Sequence, residues 1–272
     1  MVTFSDLAGI SVDELTLTWN RCWKGYFYEF NYSAAQMEAW LTKGKVDLAN
    51  SVAMREANGI IGFSLLAVEK GLGWIAGTSI QPEYRGKGLF EPLLRQQLAK
   101  AKALNLKQVQ LEVLSQNHAQ KTYFKVGFEK KRELYVYKYP KSNPITLAIP
   151  VQGCYLRSAA LEDYFYARKE AVFHPPWQRQ EDYLKRFAPL RAWLNYERTA
   201  GILMPKEGNF LLDAWITSWE KLDSFVASIL NLTNGEFTLT NQPRDMLTLY
   251  LSQHGVKPSD IQYEMIHDLH KM

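Results

Sequence analysis

The sequence predicts an α/β protein built on mixed sheets, in two similar halves, from three observations. Between residues 12 and 139 the periodic segments run helix, helix, three strands, helix, strand, helix, strand. A stretch rich in turn formers then interrupts the pattern, Pro140 to Pro150, with Ser142, Asn143 and Pro144 inside it. Beyond it nearly the same order returns. At 272 residues the chain accommodates two domains, expected at residues 1–143 and 144–272.

The elements follow in order. Val12 to Tyr26 and Ser33 to Lys43 have helical periodicity, and Ser33 is a natural N-cap. Ser51 to Glu56 and Ile60 to Val68 flank Ala57-Asn58-Gly59, where Asn-Gly favours the left-handed turn of a hairpin. Trp74 to Ile80 is a third strand. From Phe90 onward Leu94, Leu98, Ala101 and Leu104 recur at helical spacing, with Arg95, Gln96, Lys100 and Lys102 between them. In Gln108 to Leu114, Val109, Leu111 and Val113 alternate with Gln110 and Glu112, the pattern of a strand with one polar face. A short helix near Ala119 to Val126 and a strand near Arg132 to Tyr139 complete the half.

Composition narrows the class of protein. With 47% hydrophobic and 22% charged residues the chain has the apolar content to bury a full core. Its formal charge of +4 is mild and not gathered in a tail, which argues against nucleic acid as the main partner. The N-terminus lacks a basic start followed by an apolar core, and no window reaches the roughly 18 apolar residues of a membrane span. A cytoplasmic protein with no membrane partner is expected. Cys22 and Cys154, far apart and without neighbouring ligand pairs, support neither a disulfide framework nor a metal site and read as small buried hydrophobes.

Two glycines at the start of a strong helix need a reason, since glycine weakens helices. Pro82-Glu83-Tyr84-Arg85-Gly86-Lys87-Gly88-Leu89 lies between a strand and that helix. A helix start leaves backbone N–H groups unpartnered and carries partial positive charge, so it suits a phosphate. Glycine keeps side-chain bulk away, Pro92 fits a first turn where an N–H is not needed, and Arg85 and Lys87 add cations. The other reading is a plain strand-to-helix turn. The spacing is neither a P-loop nor a dinucleotide fingerprint.

The stretch Tyr84-Arg85-Gly86-Lys87-Gly88-Leu89 resembles the acyl-CoA pyrophosphate loop of the GNAT superfamily of N-acetyltransferases, whose signature is Arg or Gln, two residues, Gly, one residue, then Gly or Ala. Downstream, Leu111-Glu112-Val113, Ser115-Gln116-Asn117, Ala119 and Tyr123-Phe124-Lys125-Val126-Gly127-Phe128 resemble the family's next strand, its cofactor-facing asparagine and its Tyr-x-x-x-Gly-Phe helix end. The likeness covers about half the chain. It implies the acyl-CoA N-acyltransferase fold, acetyl-CoA held by the loop from Arg85 to Phe90, and an N-acetyltransferase activity. Two departures stand out. Phe90 occupies the position of the signature's last Gly or Ala, so its ring has to turn into the core. Asn117 to Ala119 is one residue shorter than the usual spacing, so either Gln116 or Asn117 takes the asparagine's place, with Asn117 preferred.

The implied chemistry is attack of an amine on a thioester, which needs an oxyanion donor, an acid for the leaving thiolate and an acceptor for the ammonium proton. The family's oxyanion donor is a backbone N–H on the strand before the loop, here Ile80 or its neighbour Ser79. Tyr123 fits the acid, because a phenol near pKa 10 lies close enough to a thiol near 8.5 to pass it a proton. Its other reading is aromatic packing at a helix end. Glu112, on the polar face of its strand, is the first candidate base, against a solvated or ion-paired strand residue; a water relay, or an acceptor amine that is already neutral, needs no base residue. His118 reads as an exposed loop residue. The aromatic run Trp19 to Tyr28 flanks the family's acceptor cleft, and aromatic walls suit an apolar or cationic amine, although Trp19, Trp23 and Tyr26 at helical spacing also read as core.

The second half repeats the plan with looser spacing, and Asn241, Tyr250 and Gly255 echo Asn117, Tyr123 and Gly127. Its strand-to-helix junction, Thr217-Ser218-Trp219-Glu220-Lys221, has no glycine. A second, degenerate GNAT-type domain is therefore expected, with one acetyl-CoA per chain. Three functions are compatible with these residues: an acetyl-CoA-dependent N-acetyltransferase for a primary amine of a small molecule or peptide, a non-catalytic acyl-CoA sensor, or a scaffold. The apolar strand Leu211 to Ile216 needs a covering surface, and a homo-oligomeric contact reads the same as a contact within the chain.

Overall fold

The computed structural model describes residues 1–57, 59–140 and 155–271. Asn58, the central part of the expected linker and Cys154 lie outside the described residues. Contacts divide the chain into two compact units, Met1–Lys131 together with the C-terminal residues from Glu264 on, and Arg132–Tyr263. The units are thus not the two continuous stretches anticipated around residue 143. The strand that ends the first half is counted mostly in the second unit, and the chain's last strand mostly in the first.

In the first unit, β1 (Thr3–Ser5) precedes α1 (Val12–Trp23) and α2 (Ala34–Gly44). The Ser11 side chain accepts from the Glu14 N–H at the start of α1, and Ser33 with Gln36 forms a capping box on α2. The first helix stops at Trp23, short of the expected Tyr26, because the chain turns at Gly25 with φ of 73°. Next come β2 (Val46–Glu56), β3 (Gly59–Glu69), β4 (Leu72–Ile80), α3 (Phe90–Ala103), β5 (Gln108–Leu114) and α4 (Gln120–Lys125), after which β6 (Glu129–Tyr139) passes into the second unit at Arg132.

Strands β1 to β4 pair antiparallel in sequence order, and β5 joins β4 in parallel. Ala53, Phe63 and Leu65 pack with Leu15, Trp19 and Met37 of the first two helices. The alternate residues Val52, Met54 and Ile61 pack with Leu93 of α3. Period-2 alternation therefore puts α1 and α2 on one face and α3 on the other. Gln110 is buried, so β5 is a covered central strand and not the one-sided strand its polar residues suggested.

The second unit holds β7 (Arg157–Ala159), α5 (Leu161–Ala171), α6 (Glu181–Lys185), β8 (Leu190–Leu194), β9 (Ala200–Pro205), β10 (Phe210–Leu211), β11 (Asp213–Ile216), α7 (Leu222–Leu232), β12 (Phe237–Pro243) and α8 (Met246–Gln253). The last strand, β13 (Asp260–Asp268), continues from it into the first unit at Glu264. Strands β11, β9, β8 and β7 form an antiparallel sheet, while β12 pairs antiparallel with β6 and parallel with β10. Among the described residues no helix is long and apolar enough to cross a membrane.

Candidate active site

Strands β4 and β5 begin as partners and then part. Their parallel ladder joins Leu72–Trp74 to Gln108–Gln110, whereas the strands themselves run on to Ile80 and Leu114. A bulge explains the parting: Leu65 faces Gly77 and Leu66 faces Ile75, so Ala76 is an extra residue on β4 that bends it away. Beyond the bulge Gln81 donates its N–H to the Ile61 carbonyl, and Ser79 faces Phe63. By the alternation of an antiparallel ladder, the N–H groups of Ser79 and Gln81 point to β3 and those of Thr78 and Ile80 point to the opened edge. Of the two expected oxyanion donors, Ile80 faces the split and Ser79 faces its neighbouring strand. The Ser79 hydroxyl instead donates to the Cys22 carbonyl at 2.7 Å.

The glycine loop continues this edge. Gly86 and Gly88 have φ of 73° and 75°, the left-handed region, and a Cβ on either would meet nothing within 4 Å. Backbone conformation, then, and not local crowding, is what glycine supplies here. Leu89 caps α3 without a side-chain bond, and among the described residues the N–H groups of Gly86, Lys87, Gly88, Leu89 and Phe90 have no hydrogen-bond acceptor. Five donors at a helix start, following two left-handed residues, form a seat for an anion. This is the observation that fits the pyrophosphate of an acyl-CoA.

Arg85 takes a different place from the one expected. Its own N–H donates to the Pro82 carbonyl, its Nε to the Ile80 carbonyl at 3.0 Å and its Nη2 to the Cys22 carbonyl at 2.7 Å. The guanidinium ties the last turn of α1 to the end of β4 and is not extended toward the loop's donors. Lys87 remains exposed, its Nζ 5.2 Å from the Tyr84 ring centre. Phe90 does turn inward: its ring meets Tyr123 edge-on at 5.6 Å and packs beside Ile80 and Leu93.

Tyr123 is buried on α4, its ring between Phe90 and Phe128. Its hydroxyl interacts with Thr78 of β4, whose own hydroxyl lies 3.0 Å from that of Ser64. Burial, with the nearby Tyr26 phenol adding to it, holds its pKa well above the usual phenol value. The group is a protonated donor. Glu112 is half-buried, and its Oε2 accepts the Trp74 indole N–H at 2.7 Å, at the closed end of the split. Asn117 accepts the Ala119 N–H at 2.9 Å, which opens α4, and offers its Nδ2 to the Tyr26 hydroxyl at 3.5 Å. Gln116 and His118 are exposed.

The aromatic run divides between the two expected roles. Trp19 is core, stacked on Phe63 and Tyr32 and so close to β4 that a Cβ at Gly77 would lie 3.1 Å from its ring. Tyr26, past the helix end, reaches the split. Cys22 is buried and its thiol is pushed up to about 12 by that burial, which leaves no thiolate nucleophile there. Thr78 and Tyr26 are the site residues that sequence reasoning missed as individuals, since only the bulge and the helix end decide where their hydroxyls point.

The second unit preserves the split and fills it. Strands β10 and β11 are interrupted at Leu212 as β4 is at Ala76, and Ile216 opposite Ala200 takes the place of Ile80 opposite Gly62. Ala214 then corresponds to Thr78. Its carbonyl accepts from Gln242 of β12 at 3.2 Å and from Arg179 at 3.2 Å. Arg179 also donates to Gln242 and Asp213, while Arg168 and Tyr164 complete the ring around Asp213. Tyr250, the echo of Tyr123, donates to Asp223. The glycine-free junction is a single 3-10 turn, Trp219–Lys221, with Trp219 half exposed.

Residues 25–138 match the acetyltransferase (GNAT) domain family model. A comparison with curated proteins finds no match. Among solved structures, a GCN5-related N-acetyltransferase from Anabaena variabilis superposes with TM-score 0.66 at 16% identity, covering 99% of this chain and 73% of that one. One from Sphaerobacter thermophilus gives 0.66 at 12% identity, over 98% and 96%. A tandem GNAT protein from the clavulanic acid biosynthesis pathway gives 0.65 at 8% identity, over 100% of both chains. Residues 25–138 thus match the acetyltransferase (GNAT) domain model, and the chain as a whole shares the fold of a tandem GNAT protein.

Proposed function

We propose that this chain is an acetyl-CoA-dependent N-acetyltransferase that acetylates a primary amine of a small molecule or peptide, with the chemistry in the first unit and one cofactor per chain. The observation that supports the reading most is the continuity of the opened β4 edge with the five N–H donors of Gly86 to Phe90, alongside the Tyr123 hydroxyl. An acyl-CoA supplies the activated acetyl group when bound. In this reading the loop donors hold its pyrophosphate. The edge N–H of Ile80 or Thr78 faces the oxygen on which negative charge develops. Tyr123 gives its proton to the departing sulfur, and Glu112, oriented by Trp74, is the first candidate to receive the ammonium proton.

The test is calorimetric titration of the intact chain with acetyl-CoA, followed by thiol release across a library of primary amines and short peptides. Binding at one site with amine-dependent release is expected. Tight binding with no release from any amine favours the sensor reading, and no binding at all defeats both.

A further inference from the structure

We propose that the cleft between the last turn of α1 and the segment that follows β4 binds a free small polyanion, a molecule with two or more carboxylate or phosphate groups, at a site separate from the glycine loop. The cleft has a volume of about 440 Å³, room for a small molecule, and Arg21, Lys24, Gly25, Gln81, Glu83 and Arg85 are among the residues that line it. It lies on the side of β4 away from the opened edge. Gln81 sends its backbone N–H to the Ile61 carbonyl at 2.8 Å and its Nε2 to the Ile60 carbonyl at 2.7 Å, both on β3, whereas the N–H groups of Thr78 and Ile80 point to the split. Arg85 stands between the two regions. Its Nε and Nη2 are committed to the Ile80 and Cys22 carbonyls, while its Nη1 lies 4.0 Å from where a Cβ on Gly25 would be. Having no side chain, Gly25 leaves that edge of the guanidinium accessible from the cleft.

Charge decides what the cleft takes. Among the described residues no ion pair includes Arg21, Lys24 or Arg85, whereas Lys45, Arg95 and Lys125 of the same unit each meet a carboxylate. The Arg21 side chain bonds only through Nε, to the Leu17 carbonyl at 3.3 Å, and its outer nitrogens are left for a ligand. Basic residues also offset the dipole at a helix C-terminus, but that end carries only roughly half a unit charge. Its carbonyls are served as well: Cys22 accepts from Ser79 and Arg85, and Arg21 from the Lys24 N–H. Three cations against the single carboxylate of Glu83 leave the cleft with an excess of two positive charges. Guanidinium and ammonium groups bind carboxylate and phosphate oxygens through charge-assisted hydrogen bonds. The attraction grows with the ligand's charge, so a polyanion is favoured over a monoanion.

The probes are citrate and inorganic pyrophosphate, titrated calorimetrically at constant ionic strength into the intact chain saturated with acetyl-CoA, with acetate as the monoanion control. Saturable binding of at least one probe at a single site is expected, with none for acetate. The double variant Arg21→Gln, Lys24→Gln is expected to weaken that binding at least tenfold, and Glu83→Gln to tighten it about threefold. Acetyl-CoA affinity is expected to stay within twofold in both variants, which also shows that they fold. Binding that never saturates, or a probe affinity unchanged in the double variant, means an adventitious ion only and overturns the proposal. Probe binding that acetyl-CoA abolishes places the anion in the glycine seat and overturns it too. So does a loss of acetyl-CoA affinity in the double variant that 3′-dephospho-acetyl-CoA does not share, since the cleft then holds the cofactor's own phosphate. If the wild type binds no acetyl-CoA, the acetyltransferase reading fails separately, and the same titrations on the chain alone decide the anion site.

Discussion

The hydroxyl of Tyr123 on α4 interacts with Thr78 of β4, beyond the point where β4 and β5 part. A helix residue thereby meets a strand 45 residues away in sequence, past the Ala76 bulge that interrupts that strand's register. The ring's position is set from behind by Phe90 and Phe128.

Tyr123→Phe retains those ring contacts and removes only the donor. A fall in kcat of about 100-fold or more is expected, with the acetyl-CoA dissociation constant nearly unchanged. Because burial raises the Tyr123 pKa, the acid form persists as pH rises, and the wild type is expected to show no alkaline loss of kcat from this group below about pH 10. Equal turnover in the two proteins would return Tyr123 to a packing role.

Gly88→Val tests the anion seat. The substituted side chain has open space but an unfavourable φ, so the fold is expected to lose about 1–2 kcal/mol while the loop's N–H groups are displaced. Acetyl-CoA affinity is expected to fall at least tenfold, about 1.4 kcal/mol, by calorimetry. An affinity within twofold of the wild type removes the loop from the binding site.

The buried ring around Asp213 predicts acid sensitivity in the second unit. Burial alone would raise the Asp213 carboxyl, but Arg168 and Arg179 outweigh it and hold the group at about 2. Its folded value lies below the unfolded one, so its contribution is fully present above about pH 4 and is lost as pH falls toward 2. Asp213→Asn leaves two buried guanidinium groups poorly matched and is expected to cost about 3–5 kcal/mol at pH 7, with a smaller difference from wild type at pH 3. Denaturant midpoints at the two pH values check the sign.

Residues 1–145 alone are expected to be unstable, since they lack the segment from Glu264 onward that belongs to the first unit. Within it, His267 packs on Phe128 at 5.4 Å and sits so near Gly127 that a Cβ there would lie 2.9 Å from its ring. The intact chain is expected to bind one acetyl-CoA. A stoichiometry of two, or a truncated 1–145 that folds and acetylates at the wild-type rate, would sink this prediction.

The sequence by itself determined the features that depend on neighbours a few residues apart. Ser33 capping α2, the limits Gln108–Leu114 of β5 and the glycines preceding α3 were legible because caps, alternation and left-handed turns are local. The resemblance to the GNAT family followed from those local motifs at their spacing. Tertiary structure alone decided which groups meet. Arg85 reads as an anion partner from its place in the loop, yet two backbone carbonyls, one of them 63 residues away, claim its guanidinium. Glu112 reads as a candidate base or as a solvated or ion-paired strand residue, and only the fold brings the Trp74 indole of the adjacent strand to it as a donor. The exchange of last strands and the filling of the second split by Arg179 and Gln242 likewise rest on pairings across many residues. Such contacts leave no periodic trace in a sequence, because each depends on where two distant backbones have already been placed by the burial of their apolar faces.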